Sequence, residues 1–258
     1  MRIPSPKSWP NLLMEKVGYK VVKLSTPKTP LLSDMDHEFE PIHERARAHT
    51  MTSMENMYAL YKAVRYIHSA QIRGDIVECG VWKGGSMMIA AMTLLSLGDV
   101  DRQLWLYDTF AGMTEPTEKD LGPNDYSPHK RWEDAEAGDF NTWCFSPIDE
   151  VKKNLFSTGY PQEKTSFVKG KVEETIPDTI PAEIALLRLD TDFYESTHHE
   201  LQHMFPRLSP NGVLIIDDYG WWRGSRDATD QYFAANDVDI LLHRVDSVSR
   251  VAVKPQMG

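Results

Sequence analysis

The strongest constraint on the fold is a change of hydrophobic period at a glycine turn. Asp75 to Cys79 is a short apolar run, and it leads into Glu78-Cys-Gly80-Val-Trp-Lys-Gly84-Gly85-Ser86. From Ser86 to Leu97 the chain is apolar nearly all round. The first run has the length of a buried strand. The second reads as a helix packed against a sheet, because a solvated helix would keep one polar face. Strand, glycine turn and helix are the first unit of an α/β fold.

The alternation continues. Leu104–Tyr107 is a strand ending at Asp108, Thr165–Val168 is extended, Ile184–Leu189 ends at Asp190, and Val213–Ile216 ends at Asp217 and Asp218. Helical patterns cover Met51–Ile67, Ile148–Phe156, Tyr194–Leu208 and Arg226–Ala235. The order predicts a layered α/β sandwich with a mainly parallel sheet. Ile240–Val245 and Ser249–Val253 flank Asp246 and Ser247 and read as a closing hairpin that adds an antiparallel strand. Residues 1–50 are Pro-rich and weakly patterned at their start and read as an N-terminal arm, and residues 51–258 read as one domain. From Gly112 to Gly138 the chain is dense in charge, Pro and Gly. A long irregular insertion after a strand's C-terminal end predicts a lid at the ligand-binding rim.

Composition excludes several functions. At 41% hydrophobic residues the chain is not disordered. Lys and Arg number 28 against 38 Asp and Glu, and a net charge of −10 argues against phosphate-backbone binding to nucleic acid. The longest apolar run, Met87 to Leu97, is too short to span a bilayer, and residues 1–20 lack the apolar core of a signal peptide. Two cysteines, Cys79 and Cys144, exclude a disulfide scaffold and suit a reducing cytoplasm. Met1 to Lys28 carries six basic residues against Glu15 alone. It is either a solvated tail or an arm that embraces another subunit.

The glycine turn has chemical consequences. Gly80 and Gly84 allow close ligand approach, and a helix start offers free backbone N–H groups. The spacing G-x-x-x-G-G differs from the dinucleotide G-x-G-x-x-G and argues against hydride chemistry. Asp108 ends the next strand, 28 residues after Gly80, where an acid can accept hydrogen bonds from both hydroxyls of a ribose. Together these features point to an adenosine ligand, with Glu78 and the turn facing its amino-acid end. The pattern resembles class I S-adenosylmethionine-dependent methyltransferases, with their Rossmann-like three-layer sandwich.

Acids also gather at the other strand ends, in Leu-Arg-Leu-Asp190-Thr-Asp192 and Ile-Ile-Asp217-Asp218. Adjacent strands lie about 4.8 Å apart, so these carboxylates converge if their strands are neighbours. Their repulsion is relieved by a hard cation, and all-oxygen ligation favours magnesium, manganese or calcium over zinc.

The chain resembles the macrocin O-methyltransferase (TylF-like) family on several ordered segments. These are His49-Thr50-Met51, Gly74 through Gly85, Asp108-Thr-Phe110-Ala-Gly112, Gly170 with Thr175-Ile-Pro177, Leu187 through Asp192, and Pro206 through Tyr219. The resemblance implies a Mg2+-dependent enzyme that methylates a sugar hydroxyl of a small molecule and self-associates. It implies Asp190, Asp217 and Asp218 as metal ligands and Asp190 also as base. It implies Glu78, Gly80, Gly84, Ser86, Asp108 and Gly170 around S-adenosylmethionine, with Thr50 and Met51 closing over it. The insertion, the arm and Trp221-Trp222-Arg223 depart from the family pattern, so its antibiotic-sugar acceptors do not carry over.

Several readings stay open. Asp190-Thr-Asp192 also fits the D-x-D site of a glycosyltransferase, and the fold could serve a non-catalytic binding protein. Trp221 and Trp222 stack on a sugar or pack in the interior. His49 contacts cofactor or acceptor. His199 and His203, four apart, read as an outward-facing pair on their helix.

Overall fold

The computed structural model describes residues 32–256. Residues 36–256 form a compact unit, and the basic stretch read as an arm lies outside the described residues. Seven strands make one sheet: β1 Asp75–Cys79, β2 Leu104–Asp108, β3 Thr165–Lys169, β4 Ile184–Leu189, β5 Leu208–Ile216, β6 His243–Arg244 and β7 Arg250–Val253. Their order is β3-β2-β1-β4-β5-β7-β6. The first five run parallel, and β7 pairs antiparallel with both β5 and β6. The predicted sandwich and its antiparallel closure are both present.

Helices cover both faces. On one side α1 Phe39–Ala46 and α2 Met54–Ser69 pack around α3 Gly85–Leu97, which also meets α5 Ile148–Phe156. On the other, α6 Val172–Thr175 and α8 Arg223–Ala235 pack on α7 Tyr194–Met204. The all-round apolar α3 is buried along most of its length, from Gly85 to Leu94. Strand alternation divides the core. Val77, Cys79, Leu187, Leu189, Leu214 and Ile216 join Leu201 and Met204 of α7 in one cluster. Glu78 and Arg188, on intervening positions, face the opposite layer.

Several boundaries differ from the periodicity. The first long helix begins at Met54 rather than Met51, because Ser53 caps it: its Oγ accepts the Asn56 N–H at 3.1 Å. Residues 194–208 are not one helix. Pro206 sits in a 3-10 turn, Phe205–Arg207, and Leu208 already pairs with Ile184 in the sheet. Helix α1 lies inside the stretch read as an arm. The insertion after β2 is folded and contains α4 His129–Asp134. Its Asp120 is fully buried and accepts the Tyr194 N–H of α7 at 2.7 Å and the Thr117 N–H at 2.7 Å. Among the described residues no helix is long and apolar enough to cross a membrane.

Candidate active site

A cavity of about 240 Å³ opens at the C-terminal ends of the parallel strands. One end of it is built from backbone. Gly80 has φ +81°, and a Cβ there would lie 1.9 Å from the Asp190 carbonyl oxygen, so only glycine lets β1 and β4 close the floor. Gly85 is pressed in the same way against the backbone of His49, whose carbonyl accepts the Gly85 N–H at 2.9 Å. That contact sets the 49–52 segment beside the start of α3, and Thr50 and Met51 line the cavity.

Asp108 organises this end. Its Oδ2 accepts the N–H groups of Val81 at 2.8 Å and Trp82 at 3.1 Å, and its Oδ1 accepts that of Phe110 at 2.7 Å. Burial raises its pKa, and the three backbone donors oppose that rise. Gly80, Ser86, Asp108 and Gly170 all reach the cavity wall. Glu78 and Gly84 do not line it. Glu78 is buried behind the wall with Arg188 Nη1 2.6 Å from its Oε1, and burial, opposed by Arg188, pushes it up to about 7. Gly84 caps α3 in the left-handed region, at φ +82°.

The other end is built from side chains. Asp190, Asp217 and Asp218 each present a carboxylate oxygen within 4.8 Å of the others. Among the described residues no other three His, Cys, Asp or Glu side chains converge this way. Burial and like charge push Asp190 and Asp218 well above the usual carboxylate range, with Arg188 opposing. The donor set is oxygen only, and its three aspartates face one guanidinium, Arg188, a balance that fits a hard divalent cation.

Sequence reasoning gave no role to Arg188 or Asn56 and read Asp192 as a cation ligand only in the D-x-D alternative. Arg188 is fully buried and bridges Glu78, Asp190 Oδ2 at 2.5 Å and Asp217 Oδ1 at 2.6 Å. An arginine between leucines on a core strand must find carboxylates, and that signal stood in Leu187-Arg188-Leu189. Asn56, in the first turn of α2, donates to Asp217 and to Ser249. Asp192 lines the cavity in the left-handed region at φ +68°, and its Oδ1 accepts the Trp222 indole N–H at 2.6 Å. Burial pushes Asp192 up to about 7.

Trp222 is interior, packed with Trp143 and Phe193, whereas Trp221 is half-exposed beside a separate groove. His49 reaches the cavity wall, and its buried Nδ1 has no partner. His199 and His203 are half-buried, not solvated, and His199 Nε2 lies 2.9 Å from the Ile176 carbonyl.

Residues 32–253 match the macrocin-O-methyltransferase (TylF) family. A relative from Streptomyces olivaceus, 8-demethyl-8-(2,3-dimethoxy-alpha-L-rhamnosyl)-tetracenomycin-C 4'-O-methyltransferase, is 33% identical over 85% of this chain and 82% of its own. Demethyldecarbamoylnovobiocin O-methyltransferase from Streptomyces niveus is 30% identical over 78% of this chain and 74% of its own. The solved structure of the O-methyltransferase NovP superposes with a TM-score of 0.70 at 26% identity, covering 84% of this chain and 88% of that one. Such a match runs from before α1 into β7 and leaves no element of the cavity outside it, so the chain belongs to the macrocin O-methyltransferase family and is an S-adenosylmethionine-dependent O-methyltransferase.

Proposed function

We propose that the protein transfers a methyl group from S-adenosylmethionine to a sugar hydroxyl of a small glycosylated molecule, and that Mg2+ is required. The observation that carries this reading is one cavity with two unlike ends: a glycine turn with Asp108, and three convergent aspartates. The rhamnosyl substrate named for the Streptomyces olivaceus relative supports a sugar acceptor.

Each end takes one partner. Gly80, Ser86, Asp108 and Gly170 hold the donor, with Thr50 and Met51 closing over it. Glu78 and Gly84 act on it only through the turn they support. Asp190, Asp217 and Asp218 would hold the cation. Bound there, Mg2+ would supply Lewis acidity that makes an acceptor hydroxyl easier to deprotonate. Asp190 is the proposed proton acceptor. Asp192 is a second candidate, because it lines the cavity while Arg188 already occupies one Asp190 oxygen. Asp190→Asn and Asp192→Asn, compared at saturating Mg2+, separate the two.

A D-x-D glycosyltransferase would use Asp190 and Asp192 on a sugar nucleotide and would have no use for the glycine turn. Calorimetry tests the difference. S-adenosylhomocysteine should bind with or without Mg2+, and sugar nucleotides should not. The reverse result would return the site to glycosyl transfer.

A further inference from the structure

We propose that Asn56 and Ser249 are positioning residues that, beside Arg188, hold one oxygen of Asp217 in the acidic centre, so that its ligand geometry exists before a cation arrives. The proposal rests on the cation reading above and concerns residues that would not touch the cation.

The register explains how the clamp forms. Glu78 of β1 pairs with Arg188 of β4, and Leu189 pairs with Ile216 of β5. Asp190 and Asp217 follow at the neighbouring strand ends, and side chains two residues apart share a face. The Arg188 fork therefore reaches Glu78, Asp190 and Asp217 together. From the helix layer above, the Asn56 amide donates to Asp217 Oδ1 and, at 2.7 Å, to Ser249 Oγ. Ser249 Oγ donates onward to the same Asp217 oxygen at 3.2 Å. Three donors thus converge on one Asp217 oxygen, and the carboxylate's other oxygen is left for a ligand.

The clamp is itself braced. Ser53 caps α2 through the Asn56 N–H and donates to Asp246, which accepts the Ser249 N–H at 2.7 Å. Asn56 is buried, and its Oδ1 has no partner. Only the donating end of the amide is used, as a carboxylate clamp requires and a generic buried amide does not. Groups that orient ligands from behind are typically worth about 10–100-fold in metal affinity.

The test measures Mn2+ binding by electron paramagnetic resonance and S-adenosylhomocysteine binding by calorimetry in chelator, on the full chain. The proteins are wild type, Asn56→Ala and the milder Ser249→Ala, each with a melting curve. We expect Mn2+ to bind about tenfold more weakly in Asn56→Ala, and by a smaller factor in Ser249→Ala. S-adenosylhomocysteine affinity should stay within about twofold in both, since neither residue lines the cavity. Unchanged Mn2+ affinity in folded variants would overturn the clamp and leave the cation reading intact. Parallel loss of Mn2+ and S-adenosylhomocysteine binding would reduce both residues to structural roles. No Mn2+ binding by wild type would overturn the cation reading and the clamp together.

Discussion

At the glycine-turn end of the cavity the wall is backbone, and a single side chain, Asp108, gathers N–H groups from Val81, Trp82 and Phe110. At the acidic end the wall is the side chains of Asp190, Asp217 and Asp218, backed from behind by Glu78 of β1, Arg188 of β4 and Asn56 of α2. The first end needs glycines where a Cβ would collide. The second needs charge balance, because buried carboxylates are costly without a counter-charge. The first should therefore respond to mutation through donor affinity, and the second through turnover.

The largest effect expected is at the acidic end. Asp190→Asn removes the charge of a residue proposed as both cation ligand and base, so turnover should fall by about 10²–10⁴-fold or more. S-adenosylhomocysteine affinity should hold, and steady-state rates set beside calorimetry check both. A loss of donor affinity matching the loss of rate would erase the division between the two ends. At the glycine-turn end the expectation inverts. Asp108→Ala abandons three backbone donors, and donor binding should weaken by about 1.5–3 kcal/mol. Calorimetry on the folded variant decides it, and unchanged affinity would remove Asp108 from the donor site.

A third acid sharpens the contrast, because it faces no cavity. Glu200 of α7 is fully buried, accepts the Thr191 hydroxyl at 3.2 Å, and is held well above its ordinary 4.5 by burial. A raised folded pKa favours the native state below the unfolded value, and that benefit is lost as pH rises toward the folded value. The loss is about 1.4 kcal/mol per pH unit in that window. Glu200→Gln should flatten it, so urea melts from pH 5 upward should show the variant gaining on wild type. Parallel pH profiles would mean that Glu200 is not buried as an acid. The smallest effect concerns the insertion. Hydrogen exchange should find the Asp120 anchor protected in the free protein, with residues 124–139 gaining protection only with ligand. Full protection of that stretch beforehand would make it a fixed insert.

The two ends also differ in how far sequence reveals them. Strand lengths, the glycine turn and the acids closing β2, β4 and β5 follow from local pattern, which is why the sheet and the convergence of Asp190, Asp217 and Asp218 were legible. Glu78 was read as a donor contact, and only register sends it behind the wall to Arg188. Asn56 gave no chemical signal, because its partners, Asp217 and Ser249, are 161 and 193 residues away. Helix α1 was hidden by Pro41 in its first turn, where proline is tolerated because that N–H has no helical partner. The packing of Trp222 beneath Asp192 depended on the segment that follows the insertion, whose Trp143 completes the cluster.

The most direct test of the whole account is methyl transfer to a panel of vicinal-diol sugars and glycosides, run in chelator and then with Mg2+ restored, beside S-adenosylhomocysteine binding in the same two conditions. Transfer should be absent in chelator and return with Mg2+, and donor affinity should be nearly equal in both. Full transfer in chelator, or donor binding that appears only with Mg2+, would contradict the account.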